Sequence, residues 1–180
     1  VVGMASTFRW YNDVEELADI FGRAASAEKR LRFIIFCGDE SKASRVRSIF
    51  QRPDLADSVA VLTQVPFSKM PQFLNSCDIL ISHFNFHGAW PHNCSIKHLE
   101  YLAMGKPAVA TNVGEVNFAI ENNVNGILCE EGDKDSFSKS ILALASSSDL
   151  RTKLGVAGRK KVVGHLTWKA HVDRILARIR

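Results

Sequence analysis

The sequence predicts an α/β fold, a doubly wound, Rossmann-like parallel sheet of six strands with helices on both faces and extra helices at the carboxyl end. Short apolar runs, such as Phe33–Cys37, alternate along the chain with segments of helical periodicity, such as Asn12–Ala27. These runs are apolar throughout, as expected of parallel strands that are buried on both faces. The segments between them are long enough to form the crossovers that join parallel strands.

Local signals delimit each element. The predicted strands are Val1–Met4, Phe33–Cys37, Val59–Leu62, Ile79–Ile81, Ala108–Ala110 and Gly126–Leu128. The predicted helices are Asn12–Ala27, Lys42–Gln51, Ser68–Ser76, Ser95–Met104, Val116–Asn122, Asp135–Ala145, Asp149–Val163 and Thr167–Arg180. Asn12 or Asp13 is the predicted N-cap of the first helix, and Ser148 and Thr167 those of the last two. Gly105 is typical of a residue that closes a helix.

The composition is that of one soluble globular domain, which we predict to span residues 1–180. Apolar residues make up 46% of the 180 residues and charged residues 23%, an ordinary balance. The net charge of +4 is modest, and the basic cluster Arg159–Lys161 is best explained as a solvated helix face. Because aromatic residues do not interleave with basic ones in a stripe, the sequence does not predict nucleic-acid binding.

Three further features concern the cellular setting. The four cysteines occur singly, which favours reduced thiols and a cytoplasmic location over a disulfide framework. The sequence contains neither an apolar run of about 20 residues nor a signal-peptide pattern. The chain starts at Val1 inside a predicted strand, so we expect it to be a fragment of a longer protein.

In a doubly wound sheet, ligands bind beyond the carboxyl ends of the strands, where the strand order reverses. The long segment from His83 to Asn93 follows one such strand and runs straight into the helix that begins at Ser95. The first amides of that helix can bind a phosphate. The candidate donors are the amides of Asn93, Cys94, Ser95 and Ile96. The Ser95 hydroxyl could cap the helix instead.

The same helix carries two charged candidates. We expect Ile96, Leu99, Leu102 and Ala103 to form its buried stripe. Lys97 and Glu100 lie off this stripe, on the side that faces the ligand edge. The alternative for these two residues is a surface ion pair between helical positions three apart.

Histidines and aromatic residues are frequent around this segment. His83, His87, His92 and His98 do not follow a metal-ligand spacing, and the sequence lacks an Asp-x-Asp pair, so we expect no metal cofactor. The aromatic residues of the segment are interpreted as local packing or as a cover over a bound sugar. These are Phe84, Phe86 and Trp90.

The segment from Cys94 to Glu115 contains a Lys-x-x-Glu-Tyr helix, then Gly-Lys-Pro, a strand and a Gly-Glu turn. It closely resembles the signature of the family-4 (group 1) retaining glycosyltransferases. Other segments resemble the family in the same order over the whole chain. They are Cys37–Glu40, Val65–Pro66, Met70–Pro71, Ser76–Asp78, Asn123–Leu128, Glu131–Asp133, Leu150–Gly155 and Leu166–Trp168.

The resemblance implies that residues 1–180 are the carboxyl-terminal, donor-binding domain of a two-Rossmann-domain (GT-B) enzyme. Glu100 matches a glutamate that accepts the hydroxyls of the donor ribose. The turn at Gln64 matches the region that contacts the base, and Gly3 the glycine that closes the first strand near the phosphates. The matching donor-binding positions are Gly3, Gly38, Gln64, Val65, Pro66, His92, Asn93, Cys94, Ser95, Ile96 and Glu100.

The chain departs from the family pattern at three positions. His92 replaces a glutamate that touches the donor sugar, and Met4 and Asn12 stand where the family has phosphate-binding Arg and Lys. Arg9 or Lys97 could supply the missing positive charge. The expected groups for stabilising the departing diphosphate are therefore Arg9, Lys97 and the helix amides, with Glu100 holding the nucleoside.

The resulting hypothesis is retaining transfer from a nucleoside diphosphate sugar to a glycan or lipid-linked acceptor bound by a second domain. The resemblance also implies polysaccharide assembly and peripheral association of the full-length protein with the inner face of a membrane. Two alternatives remain open. One is a sugar-nucleotide epimerase of the same fold, and the other is a non-catalytic nucleotide-sugar-binding module.

Overall fold

The computed structural model describes residues 1–8, 13–85 and 95–179. In these residues six strands form one parallel sheet in the order β3-β2-β1-β4-β5-β6. The strands are β1 Val2–Ser6, β2 Phe33–Cys37, β3 Val59–Leu62, β4 Ile79–Ser82, β5 Ala108–Thr111 and β6 Ile127–Cys129. This confirms the predicted Rossmann-like α/β fold.

Eight α-helices accompany the strands within the described residues. They are α1 Val14–Ala27, α2 Glu40–Phe50, α3 Met70–Asn75, α4 Ile96–Ala103, α5 Val116–Ala119, α6 Lys134–Ser146, α7 Ser148–His165 and α8 Trp168–Ile179. A 3-10 turn at Phe67–Lys69 precedes α3, so the predicted helix from Ser68 is split in two. Asp13 caps α1 through its carboxylate, and the cap of α7 is Ser147 rather than the predicted Ser148.

Two apolar cores cover the two faces of the sheet. Alternate residues of β1, including Val2 and Met4, pack with α1, α2 and α6 in one core. The other core joins α3, α4, α5 and α7 to the opposite face through residues such as Leu80 and Ala110. Both faces of the central strands are thus buried, which explains their uninterrupted apolar sequences. None of the helices in the described ranges is both long and apolar enough to span a membrane.

Strand β1 is longer than predicted, and this changes the role of Gly3. The strand continues to Ser6, so the expectation that Gly3 closes it is wrong. Gly3 lies inside the strand, where an added Cβ would be 2.2 Å from the Cys77 Sγ atom. Close packing against Cys77 therefore accounts for this glycine, and the loop that follows β1 begins at Thr7.

The β1 and β4 strands separate before they end. Only Val2 and Gly3 pair with β4, although β1 runs on to Ser6 and pairs with β2 over its full length. Beyond the last pair, the Ala5 amide donates a hydrogen bond to the Tyr101 hydroxyl at 3.1 Å. A side chain of α4 thus satisfies a backbone group where the ladder opens. The opening is the crevice at which the strand order reverses.

Candidate functional site

A cavity of about 350 Å³ lies at this crevice, beyond the carboxyl ends of β1 and β2. It brings together four of the predicted donor-site residues, which are Gly38, Ser95, Lys97 and Glu100. The other lining residues are Ala5, Ser6, Thr7, Phe36, Phe67, Met70 and Phe84. The cavity therefore has a polar wall from α4 and an apolar wall from Phe36, Phe67 and Met70.

The polar wall is the first turn and a half of α4. Ser95 precedes the helix in an extended conformation, and its hydroxyl makes no capping hydrogen bond. The predicted alternative of a Ser95 cap is therefore wrong. Because the first amides of a helix have no acceptor within it, the start of α4 presents hydrogen-bond donors and a partial positive charge beside the cavity.

Helix α4 faces the core differently from the prediction. Its buried residues are His98, Tyr101 and Leu102, whereas Ile96 is 60% exposed. The predicted buried stripe with Ile96 is therefore wrong at the first turn of the helix. The His98 Nε2 atom lies 2.9 Å from the Ser82 hydroxyl oxygen at the end of β4, and Tyr101 binds β1. These two polar contacts orient the helix. They cannot be predicted from the spacing of apolar residues in the sequence.

This orientation places Lys97 and Glu100 at the cavity. The Lys97 ammonium lies over the Phe84 ring, 4.6 Å from its centroid. Partial removal from water lowers the pKa of Lys97 to about 8, and the charge of Glu100 opposes this shift. The ion pairs among the described residues do not include one between Lys97 and Glu100. Nor does any described hydrogen-bond donor reach the Glu100 carboxylate.

Phe84 is held in place from two sides. Its backbone N–H donates to the Thr111 hydroxyl on β5 at 3.1 Å. Its neighbour His83 lies 3.3 Å from a Glu16 carboxylate oxygen, and Asn85 donates to the other oxygen at 2.9 Å. The hydrogen bond with His83 is the main reason that the pKa of Glu16 is lowered. The end of β4 thus forms a fixed platform beneath Lys97.

A second ammonium group, that of Lys42, lies near the cavity. The sequence analysis did not identify it. Lys42 on α2 donates to the Thr7 carbonyl at 3.2 Å and pairs with Asp39 at 2.8 Å. The Gly38 amide donates to the Ser6 carbonyl at 2.8 Å, which joins the ends of β1 and β2. The signal that could have identified Lys42 is its position in the first turn of a helix that directly follows a strand.

The remaining predicted residues fall into two groups. Gln64, Val65 and Pro66 form the turn after β3, with Gln64 at a φ of 56°. They do not line the cavity, but they lead directly to Phe67, which does. The predictions for Arg9, His92, Asn93 and Cys94 lie outside the described residues.

Two of the histidines singled out from the sequence have partners within the fold. His83 and His98 are both buried and engage Glu16 and Ser82. Burial lowers the pKa of His98 to about 3, so its imidazole is neutral at physiological pH. In the part of the chain that the structure describes, His, Cys, Asp and Glu side chains form no group of three that could hold a metal ion. His87 is outside that part.

Known proteins resemble this chain in sequence and in fold. The family model described as glycosyl transferases group 1 matches residues 1–147. The human alpha-1,3/1,6-mannosyltransferase ALG2 is 26% identical over 171 residues, covering 90% of this chain and 39% of the relative. The D-inositol 3-phosphate glycosyltransferase of Thermobifida fusca is 26% identical over 135 residues, covering 71% of this chain and 29% of that protein.

A solved structure extends the likeness to the fold. Anabaena HepE, in complex with UDP and glucose, matches with a TM-score of 0.84 and 16% identity, covering 99% of this chain and 47% of HepE. The chain thus spans less than half the length of these relatives. Because the family model covers most of the chain, residues 1–180 belong to the group 1 glycosyltransferases.

Proposed function

We propose that this domain binds the nucleoside diphosphate sugar donor of a retaining glycosyltransferase in the cavity between β1 and α4. The observation that carries the proposal is the convergence of three groups on one cavity. These are the open first turn of α4, the Lys97 ammonium and the Glu100 carboxylate, which no hydrogen-bond donor of residues 1–8, 13–85 and 95–179 reaches. HepE, whose structure contains UDP and glucose, has a similar fold.

Each group has a chemical task in the proposal. The diphosphate rests against the first amides of α4 and the Lys97 ammonium, which stabilise its negative charge. As the bond to the sugar breaks, negative charge develops on the leaving diphosphate, and the same fixed hydrogen-bond donors stabilise this charge. Glu100 accepts hydrogen bonds from the ribose hydroxyls, four residues along the helix from the phosphate contacts. The base packs against the apolar wall that includes Phe67.

The acceptor side of the reaction lies in the longer protein. We propose that residues 1–180 act as its carboxyl-terminal donor domain and that further residues bind a glycan or a lipid-linked acceptor. We also propose that the longer protein associates peripherally with a membrane. By itself, the domain is expected to bind donor without transferring the sugar.

Thermal unfolding of residues 1–180 tests the proposal. We expect one of UDP-glucose, GDP-mannose and ADP-glucose to raise the Tm, because a ligand that binds only the folded state stabilises it by about 2.7 kcal/mol at 100 times Kd. For a domain of this size that corresponds to roughly 5–10 °C. If none of these donors, nor the free diphosphates, changes the Tm, the proposal fails.

The lowered pKa of Lys97 gives a second prediction. Donor affinity should fall about tenfold as the pH rises from about 7 to about 9, because the ammonium that faces the diphosphate becomes neutral. Bound diphosphate favours the ammonium and moves this transition to higher pH. The measurement is calorimetry with UDP-glucose or the donor selected above, whose diphosphate diester does not titrate in this range.

The Lys97→Arg variant is the matched control, since guanidinium stays charged throughout this pH range. Its affinity should be independent of pH, and Lys97→Met should be weak at every pH. An identical pH dependence in the native domain and in Lys97→Met would remove Lys97 from the proposed site.

A further inference from the structure

A buried polar pair lies beneath the first turn of α4. His98 is 2% exposed, and Ser82, the last residue of β4, is fully buried. The His98 Nε2 atom is 2.9 Å from the Ser82 hydroxyl oxygen. The other ring nitrogen, Nδ1, is buried and meets no hydrogen-bond partner within the described part of the chain. Because this domain already encloses both side chains, their contact does not depend on how any surface is covered.

The pair costs stability in comparison with an apolar contact at the same place. Burial removes the hydration of both polar groups, and a ring nitrogen without a partner recovers none of it. The same helix face is otherwise buried through Tyr101 and Leu102. A leucine at position 98 would avoid this cost and has the higher helix propensity. What a hydrogen-bonded pair adds over an apolar contact is a single fixed orientation of the two packed elements.

The orientation that the pair fixes is the one that brings Lys97 to the cavity. Ser82 and Phe84 belong to the same segment at the end of β4, and the Phe84 ring lies 4.6 Å from the Lys97 ammonium. Phe84 also meets the His98 ring edge-on, with the ring centroids 6.1 Å apart. Consecutive helix residues point about 100° apart, so a His98 directed at Ser82 leaves Lys97 directed at Phe84. Turning α4 by about 20° would shift a side-chain tip by roughly 2 Å and lose this match.

We propose that His98 is a positioning residue of the donor site, and that its contact with Ser82 holds the Lys97 ammonium where the donor diphosphate binds. This role rests on the donor site proposed above. His98 does not line the cavity, so it acts through Lys97 and not on the donor itself.

The pKa of Lys97 in the ligand-free domain is the first test. NMR of the lysine ε-methylene groups follows the titration, and Lys97→Arg assigns the signal. The native pKa should be about 8. In Ser82→Ala and in His98→Leu it should move toward the ordinary lysine value of about 10.4, because a displaced ammonium returns to water. His98→Gln, whose amide nitrogen takes the place of Nε2, should restore the native value. Since no donor is present, this outcome is independent of the proposed function.

Donor affinity at about pH 7 is the second test, measured by calorimetry. Ser82→Ala should bind the donor about tenfold more weakly than the native domain. In a Lys97→Met background the same change should cost nothing further, because both changes remove one interaction. The double variant Ser82→Ala/His98→Leu separates positioning from stability. It replaces the polar pair by an apolar contact, so its Tm should be close to the native value while donor binding stays weak.

Leu102→Val is the matched control, since Leu102 is a fully buried apolar residue of the same helix that packs against Gly158 of α7. This variant should lower the Tm and leave the pKa of Lys97 and the donor affinity unchanged. A Lys97 that still titrates near 8 in His98→Leu overturns the proposal. So does a double variant that binds donor as well as the native domain, or a full further loss when Ser82→Ala is added to Lys97→Met. If no donor binds at all, the titration of Lys97 alone decides.

Discussion

Replacing Glu100 by Ala should reduce donor affinity about 100-fold, a loss of about 3 kcal/mol. The Glu100 carboxylate lines the cavity and meets no described hydrogen-bond donor of the protein, so it is available to two adjacent hydroxyls of a ligand. A charged acceptor forms stronger hydrogen bonds than a neutral one. Glu100→Gln keeps the shape of the side chain and should lose about tenfold. Calorimetry with the donor selected by thermal unfolding measures both losses.

A nucleotide that lacks the ribose hydroxyls shows whether Glu100 acts through them. The 2′,3′-dideoxy analogue of the donor should bind the native domain weakly, and Glu100→Ala should lose little further affinity for it. Such a cycle isolates the interaction between the carboxylate and the hydroxyls. Asp57→Ala is the control, because this exposed carboxylate lies just before β3, at the amino-terminal end of the parallel strands and away from the cavity at their carboxyl ends. Equal losses for donor and analogue in Glu100→Ala would exclude the ribose contact.

Much of the fold was predictable because most of the strands are apolar runs that end at a polar or glycine residue. The predicted bounds of β2 and β3 coincide with those observed. The end of β1 was not predictable in this way. After Met4 the strand continues through Ala5 and Ser6, whose small side chains give only a weak apolar signal, because β2 pairs with them and the Tyr101 hydroxyl binds the Ala5 amide. Contacts from distant parts of the chain set this boundary.

The placement of a site residue was predictable where it depends only on the position of that residue along a helix. Lys97 and Glu100 share a face by helical spacing, and the structure places both at the cavity. The cation–π contact of Lys97 with Phe84 was not predictable, because it depends on the Glu16–His83 contact and on Thr111 beneath the loop. Long-range polar contacts of this kind leave no periodic trace in a sequence. The exposure of Ile96 was missed for the same reason, since His98 and Tyr101 fix the rotation of α4.

The prediction with the largest effect on stability concerns Gly155, at the crossing of α7 and α4. An added Cβ would lie 2.1 Å from the Gly105 carbonyl oxygen and 2.9 Å from the Gly105 carbonyl carbon. These are backbone atoms, and Gly105 is held at a φ of 68° in the turn that ends α4. The clash is therefore relieved only by moving the two helices apart, which also displaces the helix that carries Lys97 and Glu100.

Gly155→Ala should accordingly lower the free energy of unfolding by about 2–4 kcal/mol, and the Tm by roughly 5–15 °C. The gain in helix propensity from Gly to Ala, about 1 kcal/mol, is too small to offset the clash. Gly164→Ala is the matched control in the same helix, because an added Cβ there meets nothing within 4 Å. It should leave the protein as stable or slightly more stable. Urea unfolding of both variants measures the difference, and a Gly155→Ala domain as stable as Gly164→Ala would contradict the close approach of α7 to the end of α4.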